Sequence, residues 1–250
     1  MSNANMLLLS SSMIYGHSYL EHVRDTVVEF LPAGSRVAFV PWALEDYDRY
    51  TDTTATAMQA LGISVTGIHT VASPQELLDG VDAIFVGGGN SFRLLKALYE
   101  HDLIDEVRAR VTSGKLAYMG SSAGTNMSCP SLRTTNDMPI VQPPSFDAFN
   151  LIPFQINPHY QDPDPTSTHM GETREQRIAQ FLEENDVAVV GLREGAWLRR
   201  IGDSLTLGGS VGARLFQRDS EAVEYTEGAD LSFLLKLEPR FDSRAGGQPL

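Results

Sequence analysis

The chain has 250 residues, 42% of them hydrophobic, enough for a single α/β unit with a sizeable core. Its net charge of −13, with no basic run anywhere, argues against a nucleic-acid partner, because phosphate contacts need clustered Lys and Arg. No stretch approaches the ~20 apolar residues that span a bilayer, and no basic region precedes an apolar one at the N-terminus, so neither a membrane segment nor an export signal is expected.

With MSNAN (1–5) set aside, MLLLS (6–10) reads as the first strand. Leu20, Val23, Val27 and Phe30 then form a helical stripe, opened by a capping box at Ser18 and Glu21. RVAFVP (36–41), SVTGIHTV (64–71), DAIFVGGG (82–89) and KLAYMG (115–120) are further strands. A polar–apolar helix is predicted over about 46–61. Phe92, Leu95, Leu98 and Tyr99 mark a third helix, and Leu103, Val107 and Val111 a fourth. Thr173 and Gln176 form a second capping box, ahead of Ile178, Phe181 and Leu182. VAVVGL (187–192) is a sixth buried strand, and AWLRRI, SLTLGG and AVEYT are short antiparallel strands. Such alternation predicts an α/β fold: a mostly parallel central sheet with helices on both faces, plus short antiparallel strands near the C-terminus. One domain covers 1–238, and 239–250 is expected to be a loose tail.

Ligands of open parallel sheets sit at the carboxyl ends of the strands. Two such ends are unusual here. YMGSSAGTNM (118–127) fits G-x-S-x-G, with Gly120, Ser122 and Gly124 between a strand and a helix start. A tight turn of this kind holds a serine strained with its hydroxyl projecting. VGGGNSF (86–92) runs three glycines straight into a helix. As a plain βα turn it carries no chemistry. Beside Ser122, however, the N–H groups of Gly88 and Gly89 would join that of Ala123 in an oxyanion hole. The triplet has neither P-loop nor Rossmann spacing, so no nucleotide cofactor is expected.

Ser122 needs a base. Of six histidines, His17, His22 and His101 lie in or beside amphipathic helices and read as solvated, and His69 ends a strand with nothing beside it to support a role. His159, in the loop INPHY, is the candidate base. Two carboxylates compete to orient it. Asp137 lies in the turn-forming TTNDMPIV; Glu194, in GLREGAW, follows the sixth strand and so shares the carboxyl edge of Ser122, which favours Glu194. Cys129, the only cysteine, lies past the elbow and reads as a small buried residue; it allows no internal disulfide, which suits a reducing cytoplasm. No H-E-x-x-H or C-x-x-C occurs, so no metal is expected.

From Met6 to Val223, the stretches VGGGNSF, MGSSAGTNMSCP, LRTTNDMPIV, QINPHY, GETREQRI and GLREGAW resemble the peptidase E (α-aspartyl dipeptidase) family in order and spacing. The resemblance implies a class I glutamine-amidotransferase-like fold and a Ser–His pair at Ser122 and His159, with the third member at Asp137 or Glu194. It also implies metal-free hydrolysis of dipeptides with an N-terminal aspartate, through an acyl-enzyme. Ser121 stands where family members often carry a bulkier residue. The implied substrate needs a cation for its side-chain carboxylate, and Arg174, at the start of a helix after the His159 stretch, is the candidate. Two rival readings are a cyanophycinase-like β-aspartyl peptidase, against which NDMP and GETREQR speak, and a non-catalytic amidotransferase-like binding protein, against which the full site set speaks. The expected partner is a small peptide; a homodimer is compatible with the sequence.

Overall fold

A computed structural model describes residues 3–168 and 170–243. Its centre is a seven-stranded sheet of β1 (Asn5–Leu9), β2 (Arg36–Val40), β3 (Ser64–Gly67), β4 (Ala83–Val86), β5 (Ala117–Ser121), β8 (Trp197–Ile201) and β9 (Ser204–Gly208). The order is β3-β2-β4-β5-β1-β8-β9, parallel through the first five and antiparallel for β8 and β9. Successive residues of a strand face opposite ways, and β1, β2, β4 and β5 are covered on both sides, while the edge strand β3 leaves Ser64 and Thr66 exposed. Leu7, Leu9, Phe39 and Phe85 pack with Val27 and Phe30 of α1 (Arg24–Phe30) and Met58 of α2 (Tyr47–Gln59). Met6, Leu8, Ile84 and Val86 pack on the other side with Leu94 and Leu98 of α4 (Ser91–Glu100) and Val107 and Val111 of α5 (Leu103–Thr112).

Several differences from the sequence reading have physical causes. A short helix α3 (Pro74–Asp79), missed because only Leu78 of it is buried, is capped by Ser73, whose side chain accepts from Glu76 N–H. The capping box at Ser18 is half made: Glu21 accepts from the Ser18 N–H, but the helix begins later, with Leu20 left-handed at the cap. The box at Thr173 is complete and opens α7 (Arg174–Glu184).

The largest difference concerns the last third of the chain. VAVVGL is not a sixth strand of the central sheet. Its strand, β7 (Val189–Arg193), lies in a second sheet of order β11-β10-β7-β6 with β6 (Gln155–Tyr160), β10 (Ala213–Phe216) and β11 (Val223–Tyr225). INPHY, expected to be a loop, belongs to β6, which runs parallel to β7. Pro158 disguised it, but the strand lies at the edge of its sheet, where a missing N–H is tolerated. Of the stretch expected to be loose, Arg240 bridges Asp186 through two backbone hydrogen bonds, Asp242 pairs with Arg133 at 2.7 Å, and Ser243 N–H donates to Glu184. Residues 244–250 of that stretch lie outside the described residues.

Candidate active site

Strand β5 ends at Ser121, and α6 (Ala123–Ser128) starts two residues later, so one residue must reverse the chain. That residue is Ser122, at φ 53° and ψ −111°, a conformation costly for any non-glycine side chain. Its N–H donates to Leu9 at the end of β1, and its neighbours leave no room for side chains. A Cβ on Gly120 would lie 2.6 Å from the Gly124 carbonyl oxygen, and one on Gly124 only 1.9 Å from that of Val86. Gly124→Ala should therefore displace β4 from α6 and cost at least ~3 kcal/mol. A thermal melt checks this, and a wild-type melting temperature would contradict the packing described.

The elbow meets the second sheet. His159 Nε2 lies 2.8 Å from Ser122 Oγ, and His159 Nδ1 lies 2.6 Å from Glu194 Oε1. An ionised carboxylate only accepts, so Nδ1 carries the proton and Nε2 is left to accept from the serine hydroxyl. The pairing of β6 with β7 sets Pro158 opposite Leu192 and Tyr160 opposite Arg193, with a register break at His159. At that break His159 has φ 54°. Arg193 clamps the strand ends by donating to both Asp162 and Glu224. Glu194 thus reaches His159 because β6 and β7 are neighbours in the second sheet, not because β7 extends the central one.

Asp137 is elsewhere. Its Oδ2 accepts from the N–H of Ser91, at 2.7 Å, and from the Ser91 hydroxyl, so it caps the first turn of α4. The preceding residues brace β6: Asn136 Nδ2 donates to Pro158 O, and Thr134 Oγ1 to Ile156 O.

The glycine triplet lies against the elbow, where a Cβ on Gly88 would be 3.1 Å from that of Ser122. The Gly88 N–H, expected to face an oxyanion, instead donates to the hydroxyl of Tyr50 at 2.8 Å. Gly89 has φ 132°, and a Cβ there would meet Ala43 O at 2.6 Å. Tyr50 was missed by the sequence reading, which saw only a polar–apolar helix; its ring is held edge-on by Phe39 at 4.9 Å. Ser121 is fully buried.

Arg174 is half-buried and forms no ion pair among the described residues. Burial, and then the charge of Arg177, lower its pKa, while Asp137 acts the other way. It lines a cleft with Gln161, Asp162, Asp164, Thr173 and Arg177, just beyond β6. Of the other histidines, His17 lies edge-on to His22, with ring centroids 6.5 Å apart. His69 pairs with Asp48 at 2.9 Å, His101 stacks on Trp42, and His22 is not solvated: its ring nitrogens are buried, and burial lowers its pKa. His169 lies outside the described residues. Cys129 is buried, its thiol pushed up to about 12 by desolvation. Among the described residues, no three His, Cys, Asp or Glu side chains form a metal-ligand set.

A serine in a strained turn, hydrogen bonded to an imidazole that is hydrogen bonded to a carboxylate, is the arrangement of a serine hydrolase on an α/β fold. The sequence profile of Peptidase family S51 matches residues 6–208, and the chain belongs to that family. It is 59% identical over 239 residues to peptidase E of Streptomyces coelicolor, covering 96% of this chain and 98% of that one. A Drosophila melanogaster protein named "Probable alpha-aspartyl dipeptidase" is 47% identical over 237 residues, covering 94% and 99%. In fold, the chain is similar to the crystal structure of a peptidase from an acI-B1 actinobacterium, with TM-score 0.67 at 16% identity over 93% of this chain and 98% of that one.

Proposed function

We propose that the chain hydrolyses dipeptides with an N-terminal aspartate, with Ser122 as nucleophile, His159 as base and Glu194 as its orienting carboxylate. The observation that carries this reading is the unbroken line from Glu194 through His159 to Ser122 Oγ, both links at hydrogen-bond distance. Ser122 Oγ attacks the carbonyl carbon of the aspartyl residue, and its proton passes to His159 Nε2. Glu194 stabilises the imidazolium that forms. The N–H groups of Ala123 and Gly89 face the oxyanion; losing one such donor costs about 10²–10³ in turnover. Protonated His159 then hands its proton to the leaving amine. In the second half, water attacks the aspartyl ester on Ser122 with His159 again as base. Arg174 takes the β-carboxylate of the substrate, a role suited to a half-buried guanidinium with no ion-pair partner among the described residues. The name "Probable alpha-aspartyl dipeptidase" given to one relative supports the aspartyl specificity.

Hydrolysis of Asp-p-nitroanilide, compared with the Asn and β-aspartyl analogues, tests the proposal. The Asp substrate should be cleaved far faster than the other two; preference for the β-aspartyl link would overturn it. Arg174→Ala should lower kcat/KM for Asp-p-nitroanilide about 10- to 100-fold, the worth of a charge-assisted pair, and barely change the residual rate on the Asn analogue. Equal losses on both would assign Arg174 a purely structural role.

A further inference from the structure

The proposed nucleophile and base stand on different sheets. Ser122 directly follows β5 of the seven-stranded sheet, while His159 lies in β6 and Glu194 directly follows β7 in the four-stranded one. Something must fix the distance between two sheets that share no ladder at this point. The end of β1 supplies it through adjacent residues. The carbonyl of Leu9 accepts from the Ser122 N–H and from the Thr125 hydroxyl, which holds the elbow. The next residue, Ser10, is fully buried. Its hydroxyl accepts from the His159 N–H at 2.9 Å and donates to the Leu192 carbonyl at 2.8 Å, while its own N–H donates to Ala196 O beside β8. One hydroxyl thus ties the backbone of the base to the strand that leads to Glu194, on the residue next to the one that anchors the nucleophile.

The bond to His159 is made where β6 is least able to hold itself. His159 sits at the register break, left-handed at φ 54°, a conformation a non-glycine residue keeps only when its surroundings impose it. We propose that Ser10 is a positioning residue: its hydroxyl sets His159 at hydrogen-bond distance from Ser122 by locking the left-handed backbone of the base onto β1. Ser10 itself touches neither substrate nor the reacting atoms. The inference rests on the serine-hydrolase reading proposed above.

Steady-state kinetics of Ser10→Ala on Asp-p-nitroanilide, beside the wild type and Ser122→Ala, tests it. A base displaced by about an ångström costs on the order of 100-fold in turnover, so kcat should fall about 10- to 100-fold with KM within twofold of wild type. The rate at which a fluorophosphonate labels Ser122 should fall in the same ratio, since that reaction needs the base but not the aspartyl pocket. Circular dichroism gives the folded fraction, to which both rates are referred. Should Ser10→Ala not fold, Ser10→Cys carries the same test: a thiol fits the space but accepts weakly, and both rates should drop together. A kcat per folded molecule within twofold of wild type, or a loss seen in KM alone, would overturn the role of Ser10. A wild-type enzyme whose activity survives Ser122→Ala would instead overturn the reading on which it rests.

Discussion

Ser122→Ala should lower turnover of Asp-p-nitroanilide by about 10⁴- to 10⁶-fold, the range seen when a serine hydrolase loses its nucleophile. The residual rate would come from substrate binding and the backbone donors. Stability should hardly change. Ser122 is only partly buried, its hydroxyl bonds His159 alone among the described residues, and alanine meets the same strain at φ 53°. The melting temperature should therefore stay within a few degrees of wild type. A variant that kept more than a small percentage of turnover would end the assignment.

The second large effect separates the two carboxylates. Glu194→Gln leaves a side chain of the same shape that no longer offers two equivalent acceptor oxygens beside Nδ1, and it removes the charge that stabilises the imidazolium. Turnover should drop on the order of 10²- to 10⁴-fold. Glu194 is half exposed, so the melting temperature should stay close to wild type. Asp137→Asn acts on a different structure. It weakens a charge-assisted cap on α4, worth ~1–3 kcal/mol, and loosens the segment that braces β6, so turnover and melting temperature should fall together. Kinetics and thermal melts on the two purified variants decide. A fully active Glu194→Gln beside a folded, inactive Asp137→Asn would transfer the orienting role to Asp137.

The elbow was legible because its requirement is local. Only small residues fit at positions 120 and 124, and a serine between them at a strand–helix junction has few other uses. The strands β1, β2, β4 and β5 were legible for the same reason: runs buried on both faces are largely apolar. What pairs with what was not legible. VAVVGL reads as a buried strand in either sheet, and nothing in it says that its neighbour is β6 and not β1. The strand β6 was hidden by Pro158 and by Asn157, whose side-chain amide is taken up by Thr134 and Asn136. Glu194 was preferred on a topology that proved different, and it meets His159 through the pairing of β6 with β7. Tyr50 and Ser10 were invisible because hydroxyls that bond backbone groups from distant strands leave no spacing signal in the chain.

The central claim is that Ser122 attacks the carbonyl carbon of an N-terminal aspartyl residue. It is met most directly by a diphenyl phosphonate analogue of aspartate, whose phosphorus takes the place of that carbon, expels one phenol on attack and stays bonded to Ser122 Oγ. Peptide mapping of the inactivated enzyme by mass spectrometry should find one adduct per chain, on Ser122, and none on Glu194→Gln within the time that inactivates the wild type. An adduct on any other residue, or labelling of Ser122→Ala at the wild-type rate, would contradict the account.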